Sequence, residues 1–95
     1  MDNVVNKNGE ALDIPAFHPG EFLLEEIEER GLVKKEVARF LGIQPGHLSE
    51  IFAGKRNLSA RTAVRLEKLL GISADYWMGL QSAWELQQAR ALEAV

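Results

Sequence analysis

Apolar residues recur at helical spacing along most of the chain, and no stretch alternates as a half-buried strand would. Phe22, Leu23 and Ile27 repeat at that spacing in a segment that opens with Pro19, and proline is favoured at the first position of a helix. Gly31 follows as a stop signal. The pattern predicts a first helix from Pro19 to about Gly31, with its glutamates on the solvent side.

Four more helices are predicted, over about 34–41, from 45 to the glycine at 54, over 60–70, and from 74 onward. Gly42 should end the second helix, because glycine accepts the left-handed conformation that closes many helices. Pro45 suits the first position of the third helix. Ser59 and Ser73 are favourable N-caps for the fourth and the fifth.

The predicted fifth helix carries Trp77, Leu80 and Trp84 at positions i, i+3 and i+7. Large apolar residues at this spacing are expected to belong to the core or to a dimer interface. Gly79 lies among them and costs about 1 kcal/mol of helix propensity. We therefore expect this glycine to bend or shorten the helix.

These elements and a length of 95 residues predict a single all-α domain of five helices over residues 18–95. Residues 1–17 are polar and aperiodic, which predicts a mobile arm. The chain has no cysteine, which excludes disulfides and thiolate sites and fits a reducing cytoplasm. There is also no leader-like or membrane-length apolar run, so a cytoplasmic location without membrane contact is expected.

Ala38, Gly42, Leu48 and Ile51 form the pattern that a helix-turn-helix requires. The small residue at 38 allows two helices to approach closely, the glycine makes the turn, and the two apolar residues fix the crossing. The third helix then projects outward. Such a helix can enter the major groove of DNA, where base edges are accessible.

Charge is distributed unevenly, which changes how the overall net charge of −3 should be interpreted. Residues 1–33 contain two basic and eight acidic residues, a net charge of −6, whereas residues 34–65 contain seven basic and two acidic residues, a net charge of +5. The basic charge surrounds the predicted turn. An acidic chain can therefore still present a basic surface to a nucleic acid.

Candidate DNA contacts follow from these two observations. Side chains or backbone that could reach bases are Gln44, Gly46, His47 and Glu50. Candidates for phosphate contacts are Lys34, Lys35, Ser49, Lys55, Arg56, Arg61 and Thr62. A competing interpretation of the same residues is that they are solvated side chains near a turn. His18 is most simply a residue that starts the first helix.

No catalytic site is predicted. The two histidines are 29 positions apart, and the chain has no zinc-protease motif, phosphate-binding loop or nucleophile elbow. No cofactor or metal is implied by the residues. We therefore expect a binding protein and not an enzyme.

The sequence closely resembles HigA-type antitoxins of the Cro/C1 class of helix-turn-helix proteins over about residues 18 to 88. The resemblance is carried by His18-Pro19-Gly20-Glu21, by Ser49-Glu50-Ile51 with Gly54-Lys55-Arg56, and by Tyr76-Trp77 before Leu80-Gln81. It implies a five-helix, lambda-repressor-like homodimer that binds operator DNA, represses its own operon and neutralises a HigB-type mRNA-cleaving toxin. The chain departs from the family pattern at Lys34 and at Gly46-His47.

Two alternatives share most of these residues. The first is a stand-alone phage-type repressor without a toxin partner. The second is a protein-binding module that has lost its DNA contacts, which the departure at Gly46-His47 permits. Charge reversal at Lys55 and Arg56 separates these interpretations. It should abolish DNA binding by an antitoxin or a stand-alone repressor and change nothing in a protein-binding module.

Overall fold

The computed structural model describes residues 15–94, which form five α-helices and no strand. The helices are α1 (Pro19–Glu29), α2 (Lys34–Leu41), α3 (Pro45–Phe52), α4 (Ala60–Leu70) and α5 (Ala74–Glu93). The predicted all-α, five-helix architecture is confirmed. Residues 1–14 of the predicted arm lie outside the described residues.

Local capping determines where the helices begin and end. The Ser59 hydroxyl accepts the Thr62 backbone N–H at 3.1 Å, and the Ser73 hydroxyl accepts the Asp75 backbone N–H at the same distance. Gly42 closes α2 in the left-handed region with φ +71°. The predicted start of α4 and end of α2 are confirmed. Both were predictable because they depend on residues that are close together in the chain.

Helix α5 continues without interruption through Gly79, so this glycine does not shorten the helix. The flanking residues Trp77 and Gln81 are 0% and 1% exposed. Burial of a large side chain stabilises the fold by about 1.5–3 kcal/mol, more than the helix propensity lost at one glycine. Tertiary packing therefore outweighs local propensity here.

One core joins all five helices. Helix α1 packs on α3 and α5, α2 packs on α3 and α4, and α4 packs on α5. The core residues are Leu23, Ile27, Val37, Ala38, Leu41, Leu48, Ile51, Leu58, Ala63, Leu66, Leu70 and Trp77. Helix α3 is therefore held between α1 and α2, with its opposite side left open to solvent.

Candidate nucleic-acid interface

The turn between α2 and α3 is built as the sequence predicts. Ala38 is 1% exposed and packs in the same core cluster as Leu48 and Ile51. The Ile43 backbone N–H donates to the Ala38 carbonyl at 3.0 Å, which closes the end of α2. The crossing of the two helices is thus fixed by buried contacts, and the outer side of α3 is exposed.

Arg65 is a part of this turn that the sequence did not reveal. Its Nη1 donates to the Leu41 carbonyl at 2.8 Å, across 24 residues of chain. A Cβ on Gly42 would clash with the same guanidinium. Gly42 is therefore required both for its positive φ and for the room that it leaves to Arg65. Arg65 thus stabilises the turn.

The predicted base-contacting positions lie on the outer side of α3 and at its N-terminus. Gln44, Gly46 and Glu50 are exposed, and His47 is half-buried. Apart from the two chain neighbours of Gly46 and the backbone of α3 itself, no described atom lies within 4 Å of the position that a Cβ on Gly46 would occupy, so the backbone there is open to close approach. The structure brings the four predicted base contacts to one short helix that has a free outer surface.

Glu50 and Arg56 form an ion pair that joins α3 to the loop after it. Arg56 Nε and Nη2 donate to Glu50 Oε1 at 3.0 and 2.7 Å, and both side chains are about half exposed. The pair places the loop beside the outer surface of α3. It also means that a base contact by Glu50 and a phosphate contact by Arg56 are not independent of each other.

Five of the other predicted phosphate contacts are accessible to solvent. Lys34, Lys35, Ser49, Lys55 and Arg61 are exposed. Within residues 15–94 none of these four basic side chains forms an ion pair, whereas Lys34 Nζ lies 5.8 Å from the Phe52 ring centroid, a cation–π distance.

The prediction for Thr62 needs correction. Thr62 is 5% exposed, its backbone N–H is used by Ser59, and its hydroxyl accepts from the Ser59 hydroxyl at 3.0 Å. It is an internal residue of the α4 cap. We therefore omit it from the interface.

Comparison with known proteins places the chain in a protein family. Residues 23–77 match the helix-turn-helix family. The chain is 37% identical over 78 residues to virulence-associated protein I of Dichelobacter nodosus. The matched residues cover 81% of this chain and 72% of that protein.

Solved structures narrow the assignment. A HigA-family addiction module antidote protein of Coxiella burnetii superposes with a TM-score of 0.77 at 30% identity, covering 85% of this chain and 89% of the other. The Pseudomonas aeruginosa antitoxin HigA with the higBA promoter superposes with a TM-score of 0.76 at 34% identity, covering 83% and 87%. The chain belongs to the HigA-type helix-turn-helix proteins.

Of the three C-terminal residues predicted to form a core or dimer surface, Trp77 is a core residue. It is 0% exposed, and its ring centroid lies 5.2 Å from that of Phe22. Leu80 and Trp84 are half-buried. In this HigA-type chain Trp84 contacts His18 edge to face, with 4.9 Å between ring centroids.

His18 caps α1, as expected for a helix-start residue. Its Nδ1 accepts the Gly20 backbone N–H at 2.9 Å. Burial lowers the pKa of His18, against opposing effects of the Glu21 carboxylate and the Arg56 backbone. A Cβ on Gly20 would clash with the Ile51 carbonyl, so the start of α1 lies directly against the backbone of α3. The N-terminal family motif is therefore a packing motif.

Gln81 is the buried polar residue that periodicity missed. It is 1% exposed, and its Oε1 accepts the Leu58 backbone N–H at 2.7 Å. The helical spacing of apolar residues selects Leu80 and passes over Gln81. The sequence signal for Gln81 was its place in the Leu80-Gln81 motif.

Within residues 15–94 no helix is long and apolar enough to cross a membrane, and no group of acidic or histidine side chains could hold a metal ion.

Proposed function

We propose that this HigA-type protein binds operator DNA, represses its own toxin–antitoxin operon and neutralises a HigB-type mRNA-cleaving toxin. The observation that carries the proposal is the free outer surface of α3 next to the Glu50–Arg56 pair. Exposed Lys34, Lys35 and Lys55 accompany that surface in the chain segment of net charge +5. The similarity to an antitoxin solved with its promoter supports the same conclusion.

The proposed mechanism is non-covalent and involves no catalysis or cofactor. Basic side chains attract the duplex and fix its register through phosphates, and residues at the start of α3 contact base edges. Two protomers related by a twofold axis would present their α3 helices to half-sites about 34 Å apart. The homodimer belongs to the proposal, and exposed Leu86 and Leu92 on α5 supply apolar surface for it.

The toxin partner is proposed from the family relationship. The solved relatives include an antidote protein and an antitoxin, and this chain spans most of both. A toxin that cleaves mRNA acts where mRNA is translated, so the proposed location of the complex is the cytoplasm. The partnership predicts an adjacent gene for a small basic RNase-like protein, and co-purification with that protein tests it. Failure to bind it would favour a stand-alone repressor.

DNA binding is tested by fluorescence anisotropy with a palindrome from the protein's own promoter and a random duplex of equal length. We expect tighter binding to the palindrome by at least about 1,000-fold. Lys55→Glu with Arg56→Glu should abolish binding, while Lys68→Glu with Arg90→Glu, the same charge change at exposed positions on α4 and α5, should preserve the preference. Equal affinity for both duplexes would refute the operator-binding proposal.

A further inference from the structure

Two family motifs that the proposed function does not use meet at one loop. The loop consists of residues 54–58, Gly-Lys-Arg-Asn-Leu, and is called the basic loop below. His18 comes from the N-terminal motif and Gln81 from the C-terminal motif. We propose that His18 and Gln81 are positioning residues that hold the basic loop in the conformation that meets DNA phosphates, an inference that rests on the proposed DNA binding.

Gln81 holds the end of the basic loop. Its Oε1 accepts the Leu58 N–H at 2.7 Å in a buried setting, across 23 residues of chain. Leu58 lies just before the N-cap Ser59, so no helical carbonyl is available to its N–H. A buried backbone N–H without a partner is costly. The amide of Gln81 therefore fixes the point where the loop joins α4.

His18 supports the beginning of the basic loop. Gly54 has φ +74°, and the position of a Cβ on it would lie 3.7 Å from His18 Cβ and Cγ. The imidazole is itself held from two sides, by the Gly20 N–H at Nδ1 and by the Trp84 ring. At 3% exposure, His18 is a fixed support under the turn.

The middle of the basic loop is held by α3. The Lys55 backbone N–H donates to the Glu50 carbonyl at 2.9 Å, and the Arg56 side chain bonds to the Glu50 carboxylate. The side chains of Lys55 and Arg56 remain exposed. Helices α1, α3 and α5 thus each fix one part of the loop, while its two cations face solvent.

This arrangement explains why a polar residue occupies a core position on α5. An apolar side chain at 81 would fill the space and leave the Leu58 N–H without an acceptor. Phosphate contacts require the cations to be placed within hydrogen-bond distance of a rigid duplex. A loop free to move would lose that placement even if the five helices stayed folded.

The first measurement is amide hydrogen exchange without DNA. Gln81→Met has a similar volume and no amide acceptor, and Gln88→Met makes the same change at an exposed position on α5. We expect exchange in the basic loop to be about tenfold faster in the first variant only, with the core of α2 unchanged. Gln81→Glu keeps an acceptor oxygen and should restore much of the protection.

The second measurement is the salt dependence of DNA binding well below the unfolding temperature. Loss of contacts by Lys55 and Arg56 should make the slope of log affinity against log salt shallower by about 2 per protomer in Gln81→Met. His18→Asn retains a side-chain cap for α1 but removes the ring, and should shift the slope in the same direction. If Gln81→Met does not fold, His18→Asn serves as the test variant.

The outcomes separate the two proposals. Wild-type protein that binds no DNA would overturn both the operator function and the positioning role. Wild-type binding with an unchanged slope in both variants would overturn only the positioning role. Uniformly faster exchange throughout the domain with an unchanged slope would show that the residues stabilise the fold and do not position the loop. Selective loosening with a shallower slope supports the proposal.

Discussion

Two arginines one turn apart on α4 have different environments. Arg65 is half-buried and donates to the Leu41 carbonyl, whereas Arg61 is exposed and unpaired within residues 15–94. Arg65→Met should lower the free energy of unfolding by about 1.5–3 kcal/mol, because it removes a charge-assisted hydrogen bond. Arg61→Met should change stability by less than about 0.5 kcal/mol and weaken DNA binding. Urea unfolding and anisotropy measure the two effects, and equal effects of both variants would contradict this assignment.

At the scale of single residues, Glu50 is expected to lower the affinity for DNA. Its carboxylate both pairs with Arg56 and lies on the surface that we propose faces the duplex. Glu50→Gln should raise affinity for a random duplex by about three- to tenfold, since one repulsive charge is removed while the Lys55 N–H bond to the Glu50 carbonyl still holds the basic loop. Stability should change by less than about 1 kcal/mol, as for other exposed pairs.

The matched control for this prediction is Glu29→Gln, the same change at an exposed position at the end of α1. It should leave the affinity within about twofold, because, among the residues that the structure describes, Glu29 forms no ion pair with a basic side chain. A weaker affinity of Glu50→Gln for the random duplex would show that Arg56 needs the carboxylate to be held in place.

At the scale of elements, the cap of α1 makes stability depend on pH. The pKa of His18 is lowered by burial from the usual 6.5, so the unfolded chain binds a proton at pH values where the folded chain does not. Stability is therefore fully present above about pH 6.5 and is lost as the pH falls through the folded-state pKa. Protonation of Nδ1 would also remove the acceptor for the Gly20 N–H.

The measurement is the unfolding temperature between pH 8 and pH 5.5 by circular dichroism. The wild type should lose stability over this range by more than His18→Asn, whose N-cap does not titrate. The comparison isolates His18, because His47 is present in both proteins. Parallel curves for the two proteins would contradict the expected contribution of His18.

Most elements were predictable because their signals are local. Gly42 and Ser59 determine helix ends through contacts with residues three or four positions away, and periodicity gives the buried side of each helix. Arg65 and Gln81 were not predictable in this way. Their partners, Leu41 and Leu58, lie 24 and 23 residues distant, and pairing across such a separation depends on the completed fold.

The candidate site was predictable in outline and less so in detail. The outer surface of α3 follows from the apolar pattern of the turn, and so do the exposed positions Gly46 and Glu50. Thr62 was misassigned because a threonine in the first turn of a helix does not reveal from the sequence that its side chain is buried against the N-cap Ser59. The Glu50–Arg56 pair was not predictable, since it bridges a helix and a loop whose relative placement depends on the folded domain.

At the scale of the whole molecule, charge segregation gives a quantitative expectation for DNA binding. Five exposed basic residues of each protomer are predicted phosphate contacts: Lys34, Lys35, Lys55, Arg56 and Arg61. Each neutralised phosphate contributes about −0.9 to the slope of log affinity against log salt. One protomer can therefore reach a slope of about −4.5, and a dimer about −9.

Anisotropy titrations at several salt concentrations measure this slope for the wild-type protein. A slope steeper than about −5 exceeds what the five predicted contacts of one protomer supply and favours two protomers on one duplex, and sedimentation of the free protein shows whether they associate beforehand. A slope shallower than about −2 would mean that most of the five bases do not reach phosphates.

The close approach of Gly20 to the Ile51 carbonyl has an evolutionary consequence. Because α1 recognises the backbone of α3 at this point, that attachment does not depend on which side chains α3 displays outward. Gln44, Gly46 and Glu50 can therefore diverge without weakening the scaffold beneath them. In a HigA-type scaffold of this kind, distinct target sites are therefore expected to arise by a few surface substitutions while the fold stays unchanged.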